Sequence, residues 1–157
     1  MGEAKPLALL DSNVVVYSMI TDYPNKADHE KCLRLMEKGL RGELDHILGL
    51  NLIVVVETYS ALKRLLNWRE AELRAGALLR SRRIAFLSIS REAAQTSLRW
   101  ARDKGIPVND AMIGANMVEL ADLVYTADED HFKRLQEYGV KFVNPLKLFS
   151  FGGADRT

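Results

Sequence analysis

The residues of this sequence that are best suited to chemistry are four acidic side chains, each placed close to an apolar stretch. They are Asp11, Glu57, Asp110 and Asp128. If these carboxylates meet in one cleft, their repulsion raises at least one pKa, and a cation must neutralise them. Oxygen ligands favour Mg²⁺ or Mn²⁺. Since such an ion lowers the pKa of bound water and stabilises charge on a phosphate, the predicted chemistry is phosphodiester hydrolysis.

The acids need elements that bring them together, and the hydrophobic pattern predicts alternating strands and helices. Strands are predicted at residues 7–10, 47–50, 84–87, 123–126 and 141–143. Helices are predicted at residues 12–20, 27–40, 51–66, 69–80, 90–105, 110–121 and 129–138. The β-branched residues 53–56 leave open an extension of the second strand. In the fifth and sixth helices, Leu98 and Leu120 are predicted to face inward.

The predicted fold is therefore a three-layer α/β/α domain with a central, mainly parallel five-stranded sheet. We assign residues 1–148 to this domain and expect residues 149–157 to form a flexible tail. In such folds, ligands bind beyond the carboxyl ends of the strands, where the strand order reverses. Asp11 and Asp128 follow strands one and four. The helices that carry Glu57 and Asp110 begin at the same edge, so topology alone predicts that the four acids converge.

Each acid also has a structural explanation of its own. Asp11, Asp110 and Asp128 suit the first positions of the helices that follow them, where carboxylates accept backbone N–H groups and face the positive helix end. Glu57 fits a helix position at the margin of the core, although it interrupts the apolar run 50–56. We favour one shared site, because it explains four acids at one sheet edge with a single cause.

Composition narrows the class of protein. The chain has 157 residues, 48% hydrophobic and 27% charged, which suits one domain with a core. Neither a secretion signal nor a membrane-spanning run is apparent, so we expect a cytoplasmic protein. The single cysteine, Cys32, excludes an internal disulfide and argues against a zinc–thiolate site.

The net charge of +1, from 22 basic and 21 acidic residues, does not by itself indicate nucleic-acid binding. Contacts with a nucleic acid would have to come from local basic patches. Two patches are candidates, the pair Lys63 and Arg64 and the run Arg80, Arg82 and Arg83. A solvated surface is the ordinary alternative for both.

Four short motifs and an ending, in this order and spacing, resemble the PIN-domain family and its VapC-like toxin branch in particular. They are LLDSNVVVY at 9–17, NLIVVVE at 51–57, NDAMIGAN at 109–116, YTADEDHF at 125–132 and FVNP at 142–145. Each motif is short, and the resemblance covers residues 7–148. It implies that Asp11, Glu57, Asp110 and Asp128 are the metal-binding acids.

The same resemblance suggests supporting residues. Asp130 is a possible auxiliary acid, because the Asp-Glu-Asp run leaves open which carboxylate points inward; we prefer Asp128, which is nearer the strand end. Asn13 and Thr126 would orient acids or water, with local capping as the alternative. His131 is more typical of a surface helix residue than of a catalytic one.

The resemblance further implies an Mg²⁺- or Mn²⁺-dependent ribonuclease that cuts single-stranded RNA, often as a homodimer, with a small antitoxin partner in the toxin branch. Two alternatives stay open. One is an RNA-processing or quality-control nuclease. The other is a non-catalytic scaffold that binds RNA or protein, which the full set of acids argues against.

Overall fold

The computed structural model describes residues 4–148, within which five strands form one sheet. The strands are β1 Leu7–Leu10, β2 Ile47–Leu50, β3 Ala85–Phe86, β4 Leu123–Tyr125 and β5 Phe142–Val143. Their order is β3-β2-β1-β4-β5, and every neighbouring pair is parallel. The predicted α/β class and five-stranded sheet are confirmed.

Helices connect the strands. They are α1 Ser12–Met19, α2 Lys26–Leu40, α3 Leu52–Leu65, α4 Trp68–Arg80, α5 Arg91–Lys104, α6 Val108–Leu120 and α7 Glu129–Lys133. Three of these helices begin with a side-chain cap. The residue before α3, α4 and α5 accepts a hydrogen bond from the backbone N–H three residues later, which would otherwise lack a partner; these residues are Asn51, Asn67 and Ser90. Gly105 ends α5 in the left-handed region, at φ 62°.

Two boundaries differ from the sequence prediction, and one alternative that it left open is wrong. Residues 53–56 are helical, so the alternative of a longer second strand is wrong. Helix α6 begins at Val108 after Pro107, which places Asp110 in the first turn without a capping hydrogen bond; the capping explanation for Asp110 is therefore wrong. The predicted helix at 129–138 divides into α7 and a 3₁₀ turn at Gln136–Tyr138.

The face of one helix and one residue at the end of another were also predicted wrongly. Leu98 is 60% exposed, whereas Ser97 and Trp100 of α5 are buried. The indole of Trp100 stacks on the Tyr138 ring with centroids 4.6 Å apart. Burial of the large Trp100 side chain against Tyr138 outweighs burial of one leucine and sets the rotation of α5. Leu120, at the end of α6, is likewise exposed.

The strand order reverses between β1 and β4, which both lie at the centre of the core. Leu9, Leu10 and Val124 are fully buried. The hydrogen bonding between β1 and β4 continues one residue beyond β1, because the backbone N–H of Asp11 donates to the carbonyl of Tyr125 over 2.9 Å. A crevice for a ligand is expected at such a reversal, and Asp11 stands in it. The predicted tail at 149–157 lies outside the described residues.

Helices that could cross a membrane are not found among residues 4–148.

Candidate active site

Asp11 is the most deeply buried of the four acids, with 4% of its surface exposed. Its Oδ1 accepts the backbone N–H of Ser12 over 2.8 Å, and its Oδ2 accepts the hydroxyl of Thr126 over 2.8 Å. It therefore caps α1 and also lies near two of the other acids, Asp110 and Glu57. Burial raises the pKa of Asp11 to about 7, and the nearby charges of Asp110 and Glu57 add to this, while the two hydrogen bonds oppose it.

Thr126 and Asn13 connect the ends of β1 and β4. Besides its bond to Asp11, the Thr126 oxygen accepts the backbone N–H of Asp128 over 3.0 Å. The side-chain oxygen of Asn13 accepts the backbone N–H of Ala127 over 3.2 Å. Both side chains hold the loop that carries Asp128 against the start of α1, so each contacts the acid-bearing segments and also serves local structure.

Glu57 lies between the starts of α1 and α6. Its Oε1 accepts the hydroxyl of Ser12 over 3.0 Å, and its Oε2 accepts the side-chain amide of Asn109 over 2.9 Å. Sequence reasoning did not single out Ser12 and Asn109. The signal that could have found them is their position, since each is the direct neighbour of a predicted acid.

A buried amide pair holds α3 in the orientation that directs Glu57 to the cleft. Asn51, at the amino end of α3, donates to Asn116 of α6 over 2.9 Å. Asn116 in turn donates to the carbonyl of Ser88 over 3.0 Å. Both amides are completely buried. Any other orientation of α3 against α6 would leave a buried amide without a hydrogen-bonding partner, so the pair favours this orientation.

Asp110 and Asp128 meet at the side chain of His131. The Nδ1 atom of His131 lies 2.5 Å from Asp110 Oδ2 and 3.3 Å from Asp128 Oδ2. Potential ligand atoms of the three residues all lie within 4.8 Å of one another. Burial raises the pKa of Asp110, and the charges of Glu57 and Asp128 raise it further, whereas the contact with His131 lowers it.

His131 was missed as a functional candidate. Its signal in the sequence is the spacing Asp128-x-x-His131, which brings two side chains of a helical turn together. Asp130, the auxiliary candidate, is exposed and is not part of this group. Glu129 is bound elsewhere, because Lys147 at 2.5 Å and Asn144 at 2.9 Å hold its carboxylate and lower its pKa.

The two basic patches lie at different distances from the acids. Lys63 and Arg64 are exposed in the last turn of α3, which runs away from the acidic edge. Arg64 lies seven residues beyond Glu57, about 10 Å along the helix on nearly the same face.

Arg82 and Arg83 precede β3 and therefore lie at the amino edge of the sheet. There they line a cavity of about 290 Å³ together with Lys5 and His46. The structure does not bring this second patch together with the acids.

A smaller cavity lies beside the start of α1, which directly follows Asp11 in the chain. It measures about 170 Å³ and is lined by Ser12, Asn13, Tyr17, Tyr23 and Ala61, among others. The rings of Tyr17 and Tyr23 meet edge to face with centroids 5.7 Å apart. An aromatic wall beside a group of carboxylates is suited to a nucleobase next to a phosphate.

Comparisons with known proteins agree with the fold. The family model described as PIN domain matches residues 8–138. No curated protein sequence matches the chain.

Three solved structures are similar to this chain in fold. All three are less than 20% identical to it in sequence, so the similarity supports the fold alone. One is VapC20 of Mycobacterium tuberculosis, described as a toxin that cleaves the sarcin–ricin loop; it has 18% identity and a TM-score of 0.68, covering 88% of this chain and 99% of that one. VapBC2 of Rickettsia felis, bound to a promoter DNA fragment, has 17% identity and a TM-score of 0.64, covering 88% and 98%. VapBC-1 of nontypeable Haemophilus influenzae has 18% identity and a TM-score of 0.63, covering 90% and 99%.

Proposed function

Because this chain belongs to the PIN domain family, we propose that it is a divalent-metal-dependent endoribonuclease that hydrolyses phosphodiester bonds of single-stranded RNA. One observation carries the proposal. Carboxylates from four distant segments, Asp11, Glu57, Asp110 and Asp128, lie at one sheet edge. Ser12 donates to both Asp11 and Glu57, and His131 lies beside both Asp110 and Asp128. Four acids without a neutralising ion are costly in so small a space.

The residues present fit a divalent cation. The raised pKa values of Asp11 and Asp110 reflect negative charge that burial and mutual repulsion disfavour, and a bound cation would relieve both. Asp11, Glu57, Asp110 and Asp128 would hold Mg²⁺ or Mn²⁺ through oxygen. When bound, the ion activates a water molecule and stabilises the charge that develops on the phosphate.

The protein itself orients the acids. Thr126 and the Ser12 backbone hold Asp11 in one rotamer, while the Ser12 hydroxyl and Asn109 hold Glu57. Because these partners all donate to the carboxylates, they leave the remaining oxygen lone pairs for a cation. The side chain of Asp128 is 45% exposed, so a substrate could reach it from solvent.

Single-stranded RNA is favoured as the substrate because the aromatic cavity of Tyr17 and Tyr23 is also lined by Ser12, which donates to Asp11 and Glu57. A base can enter such a cavity only when it is free of a duplex partner. The basic pair Lys63 and Arg64 would contact phosphates farther along the strand. Arg82 and Arg83 would contact RNA only beyond the far edge of the sheet.

We further propose that the chain is the toxin of a VapBC-type pair, that it forms a homodimer, and that a small antitoxin protein blocks its cleft. The support is its likeness in fold to VapC20 and to the VapBC structures. A PIN-domain RNA-processing or quality-control nuclease is the second candidate. A short reading frame directly upstream of the gene would favour the toxin.

The test is cleavage of a fluorescent single-stranded RNA by the full chain with EDTA, Mg²⁺ or Mn²⁺. We expect cleavage with either ion, none with EDTA, and none by Asp11→Asn. The matched control is Asp122→Asn, an acid that is 63% exposed beside His46 at the amino edge, which should cleave normally. Cleavage by folded Asp11→Asn at the wild-type rate, or equal cleavage in EDTA, overturns the proposal. A folded protein that binds RNA but never cleaves it would favour the non-catalytic scaffold.

A further inference from the structure

The side chain of His131 contacts the carboxylates of both Asp110 and Asp128. A histidine on a solvated helix surface would need no such contacts. Helix α7 is a single turn that begins just after Asp128, and His131 lies three residues later. One ring nitrogen, Nδ1, approaches both Asp110 Oδ2 at 2.5 Å and Asp128 Oδ2 at 3.3 Å. The side chain is only 30% exposed, so this nitrogen points inward to the cleft and not to solvent.

A single nitrogen cannot satisfy both carboxylates by hydrogen bonding. Nδ1 carries at most one proton, and the shorter contact, to Asp110, takes it. Asp128 Oδ2 then lacks a full share of that proton, although it lies beside the same nitrogen. A divalent cation held by His131, Asp110 and Asp128 would give all three side chains a partner, because each can offer a lone pair to it.

The distances allow such a shared centre. Ligand atoms on opposite sides of Mg²⁺, at bonds of about 2.0–2.1 Å, are about 4.2 Å apart. Adjacent ligand atoms of the same ion are about 2.9 Å apart. The 3.3 Å from Nδ1 to Asp128 Oδ2 lies between these two values, whereas the 2.5 Å contact with Asp110 Oδ2 would lengthen slightly when an ion replaces the shared proton. The ligand atoms of all three residues lie within 4.8 Å of one another, a span that small side-chain rotations can close.

We propose that His131 binds the catalytic divalent ion directly through Nδ1, together with Asp110 and Asp128, and thereby makes the site select Mn²⁺ over Mg²⁺. Carboxylate-only sites suit Mg²⁺, whereas an imidazole nitrogen favours transition-metal ions, whose affinity for nitrogen ligands is higher. The inference rests on the proposed metal-dependent function and adds one ligand and an ion preference to it.

The direct test is the pulsed electron paramagnetic resonance spectrum of Mn²⁺ added to the full chain. A nitrogen ligand modulates the electron spin echo at ¹⁴N frequencies, and this readout does not depend on activity. We expect ¹⁴N modulation in the wild type, its loss in His131→Gln, and its retention in His46→Gln, in which the altered histidine lies at the opposite edge of the sheet.

Calorimetric titration of the same three proteins with Mn²⁺ and with Mg²⁺ tests the selectivity. His131→Gln should weaken Mn²⁺ binding about tenfold or more while changing Mg²⁺ binding much less, and His46→Gln should change neither. Equal weakening of both ions overturns the selectivity.

The outcomes separate this inference from the proposed function. Mn²⁺ bound without ¹⁴N modulation in the wild type overturns the ligand role of His131 and leaves the acid-bound metal site standing. Failure of the wild type to bind either ion overturns both. If His131→Gln does not fold, the wild-type spectrum alone still decides whether a nitrogen is bound.

Discussion

The hydroxyl of Thr126 donates a hydrogen bond of 2.8 Å to the carboxylate of Asp11, across 115 residues of sequence. The same oxygen receives the backbone N–H of Asp128. One side chain therefore sets both the rotamer of the acid that follows β1 and the path of the chain that follows β4. The relative placement of two proposed metal-binding acids depends on it.

Replacing Thr126 with valine, which has nearly the same shape but no hydroxyl, should reduce RNA cleavage by about 10–100-fold, the usual effect of losing a partner that orients a ligand. Thr126→Ser should restore most of the activity, because it restores the hydroxyl. Initial cleavage rates and circular dichroism of both variants check this. Thr96→Val on α5 is the control. Full activity in Thr126→Val would show that the hydrogen bond does not matter.

The stability of the metal-free protein should fall as the pH rises from about 4 to about 7. The pKa of Asp11 is about 7 in the folded state and about 4 in the unfolded chain. Between these values the unfolded state releases a proton that the folded state keeps, so rising pH favours unfolding; below and above this window the contribution of Asp11 is constant.

Asp11→Asn removes this titration and should therefore be more stable than the wild type at pH 8 in EDTA, with the advantage shrinking towards pH 4. Asparagine can still accept from Ser12, and its amide can donate to Thr126. Urea unfolding of both proteins across this range measures the difference. A difference in the free energy of unfolding that does not vary with pH would contradict the raised pKa.

Asn116→Ala should destabilise the fold by about 1–3 kcal/mol, because it leaves the buried Asn51 amide and the Ser88 carbonyl without their partner. For a chain of this size each kcal/mol lowers the melting temperature by about 2–4 °C. Thermal unfolding checks the loss. Asn67→Ala, which removes only an exposed cap, should cost less; equal losses would mean that the buried pair has no special role.

The two basic patches should differ in their effect on RNA binding. Replacing Lys63 and Arg64 with alanine should weaken binding of both short and long single strands, since this patch lies on the helix that carries Glu57. Replacing Arg82 and Arg83 should weaken binding of long strands only and lower the slope of log K against log salt by about 0.7 per lost phosphate contact. Identical salt slopes for long RNA would dismiss the Arg82–Arg83 patch.

Much of the fold was predictable from the sequence, because local pattern determines it. Apolar runs of strand length, interrupted by helical periodicity and by caps such as Asn51 and Ser90, specify which segments are strands and which are helices. An alternating order leads to a parallel sheet, so the position of Asp11 directly after β1 already placed it at the ligand-binding edge.

Other features depend on how helices rotate and how loops close, which local pattern does not encode. The face of α5 was predicted wrongly because the contact of Trp100 with Tyr138, far along the chain, decides it. The place of Arg82 at the edge away from the acids, by contrast, follows from its position directly before β3 in a parallel sheet.

The sequence by itself determined the type of fold and the edge at which the four acids stand, since burial of apolar faces and strand direction follow from residue pattern. Only the tertiary structure decided the contacts within the cleft, such as Glu57 with Asn109 and His131 with Asp110. These contacts join side chains on different elements, and their distances depend on the packing angles of those elements, to which residues from the whole chain contribute.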